Sequence, residues 1–293
     1  MIFASNLGAP ETPRLLKDKS WLCVEMAPHR GGVTHISADG KDVTLVAKTG
    51  TPNGCIMDTN GDIWVAETHP HPSLMHTTMD GHVEVYLDTV AGKGFLLPND
   101  LCFSADGTLY MTDSGMLMSE WVVNGGLRPD WATAPFDGRV YAIDLKTKTV
   151  AALDWGLRFP NGLAFGPDDH LYVNEMITGM VYRYPFKDGK PTGQREDFGN
   201  VLTEEWAGGF RGPDGMAFGS NGHLYCTVYG QQDLTVLDPV GRVVQRIKTQ
   251  GSAPTNVAFG PDGEHRIYVT EHQLGQIEVF DVDTSGLPLH HVG

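Results

Sequence analysis

Six times along the chain a proline introduces the same pattern: a polar residue, a short apolar stretch, a Gly/Asp/Asn turn and a second β-rich run. The units read PETPRLLKDKSWLCVE from Pro10, PNGCIMDTNGDIWVAE from Pro52, PNDLCFSADGTLYMTD from Pro98, PNGLAFGPDDHLYVNE from Pro160, PDGMAFGSNGHLYCTV from Pro213 and PTNVAFGPDGEHRIYVTE from Pro254. A unit this short cannot bury its own hydrophobic face, so neighbouring copies must supply the core. Two apolar runs around a tight turn predict a hairpin with both strands largely buried. Alternating segments at 83–86, 140–143, 181–184 and 277–280 predict outer strands. Unit starts lie 42, 46, 62, 53 and 41 residues apart, which suits four short strands each. The expected fold is therefore all-β: one six-bladed β-propeller domain over residues 1–293, with four-stranded antiparallel blades. The segment IFASNL at 2–7 matches the stretch before each later proline, and is expected to close blade six without leaving an open edge.

In a propeller the first strand of each blade lines the axis, so the residue after each proline belongs to a ring. That ring reads Glu11, Asn53, Asn99, Asn161, Asp214 and Thr255. Asp and Asn are poor strand formers, and their recurrence here calls for another reason. Two carboxylates and up to three amides make an all-oxygen site for a hard divalent cation, Ca²⁺ first, Mg²⁺ or Mn²⁺ otherwise; zinc would want His or Cys. The competing reading is that Pro-Asn-Gly and Pro-Asp-Gly are ordinary turn signals. Glu11 favours the ring, because PET is a weak turn sequence in the same register.

Charge and missing motifs remove other classes. With 36 acidic against 21 basic residues, a formal charge of −15 and no basic cluster, no nucleic-acid partner is expected. No run of 18 apolar residues occurs, and the N-terminus lacks a signal-peptide pattern, so neither membrane insertion nor export is expected and the chain reads as cytoplasmic. Without GxSxG, GxGxxG or a P-loop, neither a serine nucleophile elbow nor a nucleotide cofactor is implied; the expected partner is a small-molecule substrate. Cys23, Cys55, Cys102 and Cys226 lie in apolar runs and read as buried thiols.

If first strands begin at the ring, second strands end beside it, and the loops after them must rim the mouth. The third unit puts its extra length there, at residues 114–138, as a lid or substrate-binding segment. Met116, Met118, Trp121, Met176 and Tyr229 are expected to form an apolar, adaptable wall. His69, His71 and His272 also fall in rim loops, as proton shuttles or as solvated side chains.

These motifs in this order, densest at PND, PNGLAF and PDGMAF, resemble the SMP-30/gluconolactonase/luciferin-regenerating-enzyme family over essentially the whole chain. The resemblance implies a divalent ion, usually Ca²⁺, held by Glu11, Asn161 and Asp214, with Asn99 completing or neighbouring the site. It also implies a metal-dependent hydrolase, a lactonase or cyclic-ester hydrolase, in which the ion polarises the carbonyl and Asp214 takes a proton from the attacking water. Organophosphate ester hydrolysis is the neighbouring enzymatic alternative, and a ligand- or protein-binding propeller with a structural ion is the non-enzymatic one. Sugar-lactonase members commonly carry Arg two residues before the ND asparagine, whereas Leu97 stands here, and Thr12 rather than Gly follows Glu11. A relatively apolar substrate is therefore expected, touching Asn99 and Leu97 as well as the wall, with His69 and His272 at its edge.

Overall fold

Each repeat forms a four-stranded antiparallel sheet in the computed structural model, which describes residues 1–205 and 208–290. The first strands, Pro10–Leu15, Pro52–Met57, Pro98–Phe103, Pro160–Phe165, Gly212–Phe218 and Pro254–Phe259, pack one against the next around the axis, first against sixth included. The second strands, such as Trp21–Glu25, Ile63–Glu67, Leu109–Asp113 and Leu171–Glu175, are buried at every residue, because both faces pack on neighbouring blades. Fourth strands such as Val243–Lys248 are mostly exposed.

Ring closure follows the expectation from the N-terminus. Ile2–Ser5 pairs antiparallel with Gln276–Asp281 and becomes the outer strand of the sixth blade. Aromatic stacking seals this joint: Trp21 of the first blade lies 4.3 Å from Tyr268 of the sixth, and Phe3 meets Tyr268 edge-on at 5.0 Å.

The position after each proline is set by the ladder itself. Pro10, Pro52, Pro98, Pro160 and Pro254 stand opposite Glu25, Glu67, Asp113, Glu175 and Glu271, the last residues of the second strands. In five blades the register then shifts immediately after the proline, and in the first blade one residue later, after Glu11. Such irregularities re-aim a side chain out of the pleat, here toward the axis. One residue further on the channel is tight. A Cβ at Gly162 would meet the Asp214 carbonyl oxygen at 2.3 Å, and one at Gly215 would meet the Asn256 side chain at 2.2 Å, so only glycine fits at either place.

The long third unit departs from the strand pattern. It folds into a short helix, Met118–Trp121, followed by a two-residue hairpin, Val122–Val123 with Gly126–Leu127. Asn124 and Gly125 make the turn with φ of 53° and 78°, the left-handed pair that a type I′ hairpin requires. Cys23, Cys55 and Cys226 are buried as expected, whereas Cys102 is only half-buried, since its strand end faces a cavity at the far end of the channel. Among the described residues no helix is long and apolar enough to cross a membrane.

Candidate active site

A cavity of about 360 Å³ opens at the end of the axis where the first strands begin, a size that suits a small molecule. Glu11, Asn53, Asn99, Asp214 and Thr255 border it, and Asn161 is buried beside them, within hydrogen-bonding reach of Asp214. Five of the six ring positions thus open on one space, and the sixth is tied to it. Backbone carbonyls of the ring residues are anchored from the preceding blade: Thr12 donates to Asn53 (3.0 Å), Thr112 to Asn161 (2.6 Å), Asn174 to Asp214 (2.6 Å) and Thr227 to Thr255 (2.7 Å). The side chains are therefore presented by a rigid frame.

Electrostatically the ring is unbalanced. Burial, and then the nearby carboxylates of Asp214 and Asp100, push Glu11 well above the usual carboxylate range. Burial and Asp100 do the same to Asp214, against a hydrogen bond from Asn161. Asp100 sits one layer down, where Arg14 Nη2 (3.2 Å), the Leu101 N–H (2.8 Å) and Asn256 Nδ2 (3.2 Å) bond its two oxygens. Three channel carboxylates against one guanidinium leave a formal charge of −2 when all are ionised (−3 + 1), the complement of one divalent cation.

Asn99 supplies a second, independent sign. Ser114 Oγ donates to the Pro160 carbonyl at 2.9 Å, so it must accept from Asn99 Nδ2 at 3.1 Å. That fixes the amide with Oδ1 the other way round, and Asn99 Oδ1 is buried without a hydrogen-bond partner. A buried acceptor left unpaired costs about 1–3 kcal/mol, and a cation between it and the two carboxylates would remove that cost. The donor set, two carboxylates and amide oxygens with no sulfur, fits Ca²⁺ better than a zinc-class ion.

The wall is apolar. Met118, Trp121, Met176, Tyr229 and Leu97 all border the cavity, joined by Phe159 and Phe210, which the sequence did not single out. Trp121 packs on Phe159 (4.9 Å) and edge-on to Phe210 (5.3 Å). Leu97 is only 1% exposed and serves mainly as packing beneath these rings. Met116 is buried behind them, its sulfur accepting from Arg128 Nη1 at 3.3 Å, and does not border the cavity. The 114–138 segment does hang over the mouth, through Met118, Trp121, Val122 and Leu127.

The rim histidines separate. His272 borders the cavity, and burial lowers its pKa below the ordinary 6.5, which keeps it neutral and able to accept a proton. His69 is exposed and outside the cavity; its backbone N–H bonds Glu67 at 3.3 Å. His71 is exposed too and pairs with Asp88 at 3.1 Å.

The profile of the SMP-30/Gluconolactonase/LRE-like region matches residues 10–273. A gluconolactonase of Zymomonas mobilis is 29% identical over 239 residues, which is 77% of this chain but 62% of that protein, so the chain spans less than two thirds of this relative. Among solved structures, a luciferin-regenerating enzyme superposes with a TM-score of 0.81 at 18% identity, covering 98% of this chain and 96% of the other. A calcium-binding protein, regucalcin, from Agrobacterium tumefaciens gives 0.78 at 16% identity, covering 99% and 97%. At these identities the two structures are likenesses of fold.

Proposed function

The chain belongs to the SMP-30/gluconolactonase/LRE-like family, and from that premise we propose that it is a lactone hydrolase that works with one bound divalent cation, Ca²⁺, on a relatively apolar lactone or cyclic ester. The observation that carries the reading is the convergence of Glu11, Asp214 and the unpartnered Asn99 Oδ1 on one cavity. Glu11, Asn161, Asp214 and Asn99 would hold the ion. When bound, the ion supplies Lewis-acid polarisation of the lactone carbonyl, an effect worth several kcal/mol.

The residues of the chain do the rest. Asp214 takes the proton from the attacking water, since among the described residues its carboxylate is engaged by a side-chain hydrogen bond from Asn161 and not by a backbone N–H. Asn161 orients that carboxylate. Trp121, Phe159 and Phe210 exclude bulk water and cover an apolar substrate face, each Å² so covered contributing about 25 cal/mol. A hydroxyl-rich sugar lactone would lose hydrogen bonds to water against this wall without replacement. His272 is the second group in the cavity able to accept a proton, and its neutrality favours that role.

The test is hydrolysis of a panel: aliphatic and aromatic lactones, glucono-1,5-lactone, aryl esters and one organophosphate ester, each before and after chelation. Apolar lactones are expected to show the highest kcat/KM, to lose it on chelation and to regain it with Ca²⁺. A tenfold preference for glucono-1,5-lactone, about 1.4 kcal/mol in transition-state binding, rejects the apolar-substrate part. Full activity after exhaustive chelation rejects the metal. Trp121→Ala should erode any preference for apolar lactones.

A further inference from the structure

Blade 2 carries a group of metal-ligating side chains on its outer strands, away from the axial ring. His76 lies in the strand Ser73–Thr77, Glu84 in the adjacent strand Val83–Leu87, and His82 in the turn between them. The ladder places His76 directly opposite Glu84. His76 Nδ1 is 3.0 Å from Glu84 Oε1, and His82 Nε2 is 4.0 Å from Glu84 Oε2. Ligand atoms of the three side chains all lie within 4.8 Å of one another.

The surroundings of His76 resemble those of a metal ligand. Its other nitrogen, Nε2, meets Asp62 Oδ1 at 2.8 Å. With carboxylates on both nitrogens Nδ1 donates to Glu84, and a metal must displace that proton; the carboxylate on the remote nitrogen then holds the other proton in place and leaves the Nδ1 lone pair to the ion. Trp64 lies against the imidazole at 5.0 Å between centroids, and is itself pinned by Nε1 donating to Asp58 at 3.2 Å. One ligand is therefore oriented in advance. The other two are adjustable, since the His82 and Glu84 side chains are 58% and 52% exposed. With bonds of about 2.0–2.1 Å the edge of a zinc tetrahedron is roughly 3.3 Å, and these two side chains can close the difference.

We propose that His76, His82 and Glu84 form a second metal site, for a zinc-class divalent ion, with Asp62 as the outer carboxylate and water in the open position. Two imidazoles and one carboxylate select against Ca²⁺ and for Zn²⁺ and its neighbours, so this site and the axial ring take different ions. Bound there, the ion clips the outer hairpin of blade 2. The inference is independent of the hydrolase reading.

Equilibrium dialysis of tag-free protein against Zn²⁺, with the axial ring kept saturated by Ca²⁺, tests it, with Co²⁺ as the spectroscopic probe of imidazole ligation. Wild type is expected to bind one equivalent of Zn²⁺ and to raise its melting temperature on doing so. His82→Ala and Glu84→Gln, both at exposed positions and checked for folding by circular dichroism, should each weaken Zn²⁺ at least tenfold and change the Co²⁺ visible band. Asp62→Asn should weaken it by about tenfold, and Asp214→Asn should leave it unchanged. Absence of Zn²⁺ binding by wild type, or unchanged Zn²⁺ affinity in both His82→Ala and Glu84→Gln, overturns the proposal.

Discussion

Two sets of carboxylates stand within a few residues of each other at the mouth of this propeller, and they do opposite things. The rim set, Glu25, Glu67, Asp113, Glu175 and Glu271, closes the second strands; the ring set, Glu11 and Asp214, follows the prolines of the first strands. Burial does not distinguish them: Glu25 and Glu175 are 0% and 3% exposed, Glu11 and Asp214 3% and 5%. Hydrogen bonding does. Every rim carboxylate accepts a backbone N–H from the residue one or two places before its proline: Gly8 to Glu25, Thr51 to Glu67, Leu96 and Leu97 to Asp113, Arg158 to Glu175, and Ala253 to Glu271. These bonds fasten each incoming loop to its own blade. Blade 5 has Val228 and Tyr229 instead, and there the aromatic ring faces the cavity. Rim charges are spent on the N–H groups of the incoming loops, whereas no incoming loop reaches the ring pair among the described residues: Glu11 accepts from its own neighbour, the Thr12 N–H at 3.1 Å, and from the Thr255 side chain, and Asp214 accepts from the Asn161 side chain.

The largest effect should come from exchanging one carboxylate in each set. Asp214→Asn is expected to lower kcat/KM by about 10²–10⁴, and to leave the melting temperature of the metal-free protein unchanged or higher, because it relieves repulsion in the channel. Asp113→Ala strips the partner from the N–H groups of Leu96, Leu97 and Gly115. Its cost should be about 3 kcal/mol of stability or more, with Ca²⁺ affinity retained in whatever remains folded. Melting curves and lactone kinetics on both variants make the comparison. It breaks if Asp214→Asn destabilises the metal-free protein as much as Asp113→Ala does.

Much of this contrast was written in the sequence, but unequally. The blades, the N-terminal closing strand and the ring register were legible because proline, turn and apolar run recur in order, and a ladder of period two turns that order into a common height. The same pattern marked Glu25, Glu67, Asp113, Glu175 and Glu271 only as places where rim loops begin. Their partners lie 16 to 18 residues earlier in the chain, and only the folded hairpin brings each pair together. The Arg14–Asp100 pair under the ring went unread for the same reason, being 86 residues apart. Phe159 could have been found: it directly precedes a ring proline in RFPNG, the same position that Leu97 takes before Pro98. His69 and His272 look alike in sequence, each following the closing carboxylate of a second strand by one or two residues, yet only one loop folds inward. His76 and His82 sit in an ordinary hairpin, and nothing but the partner strand shows that they meet.

A second prediction uses pH. The ring carboxylates have folded-state pKa values raised by burial and by one another. The folded metal-free protein thus holds more protons than the unfolded chain above the ordinary carboxylate range, so its stability should fall as pH rises from about 4 through the raised values. A bound cation replaces those protons and removes the loss. The melting-temperature gap between Ca²⁺-loaded and metal-free protein should therefore widen as pH rises from about 5 to about 7, and Ca²⁺ affinity should weaken on acidification. Burial also raises Asp113, Glu67 and Glu271, but they act in both forms and cancel in the difference. A gap that stays constant over this range would place the cation away from Glu11 and Asp214.

The smallest expected effect tests how the ring keeps an oxygen free at all. Ser114 sits next to the rim residue Asp113, but its hydroxyl serves the ring: it donates to the Pro160 carbonyl and accepts from Asn99 Nδ2, which leaves Asn99 Oδ1 without a partner. Ser114→Ala removes that acceptor, so the Asn99 amide can rotate and its oxygen no longer points one way. Loss of this one bond should cost about 0.5–1.5 kcal/mol of stability, and Ca²⁺ affinity should fall by up to about tenfold, roughly 1.4 kcal/mol. Calorimetric titration with Ca²⁺ measures it. Adding Asn99→Asp to Ser114→Ala should restore the affinity, because a carboxylate offers an oxygen whichever way it turns. If Ser114→Ala binds Ca²⁺ as wild type does, Asn99→Leu decides between the two explanations that remain. Weakened binding in that variant means the amide is oriented by something other than Ser114, and unchanged binding means that Asn99 is no ligand and the ring holds its ion by Glu11, Asn161 and Asp214 alone.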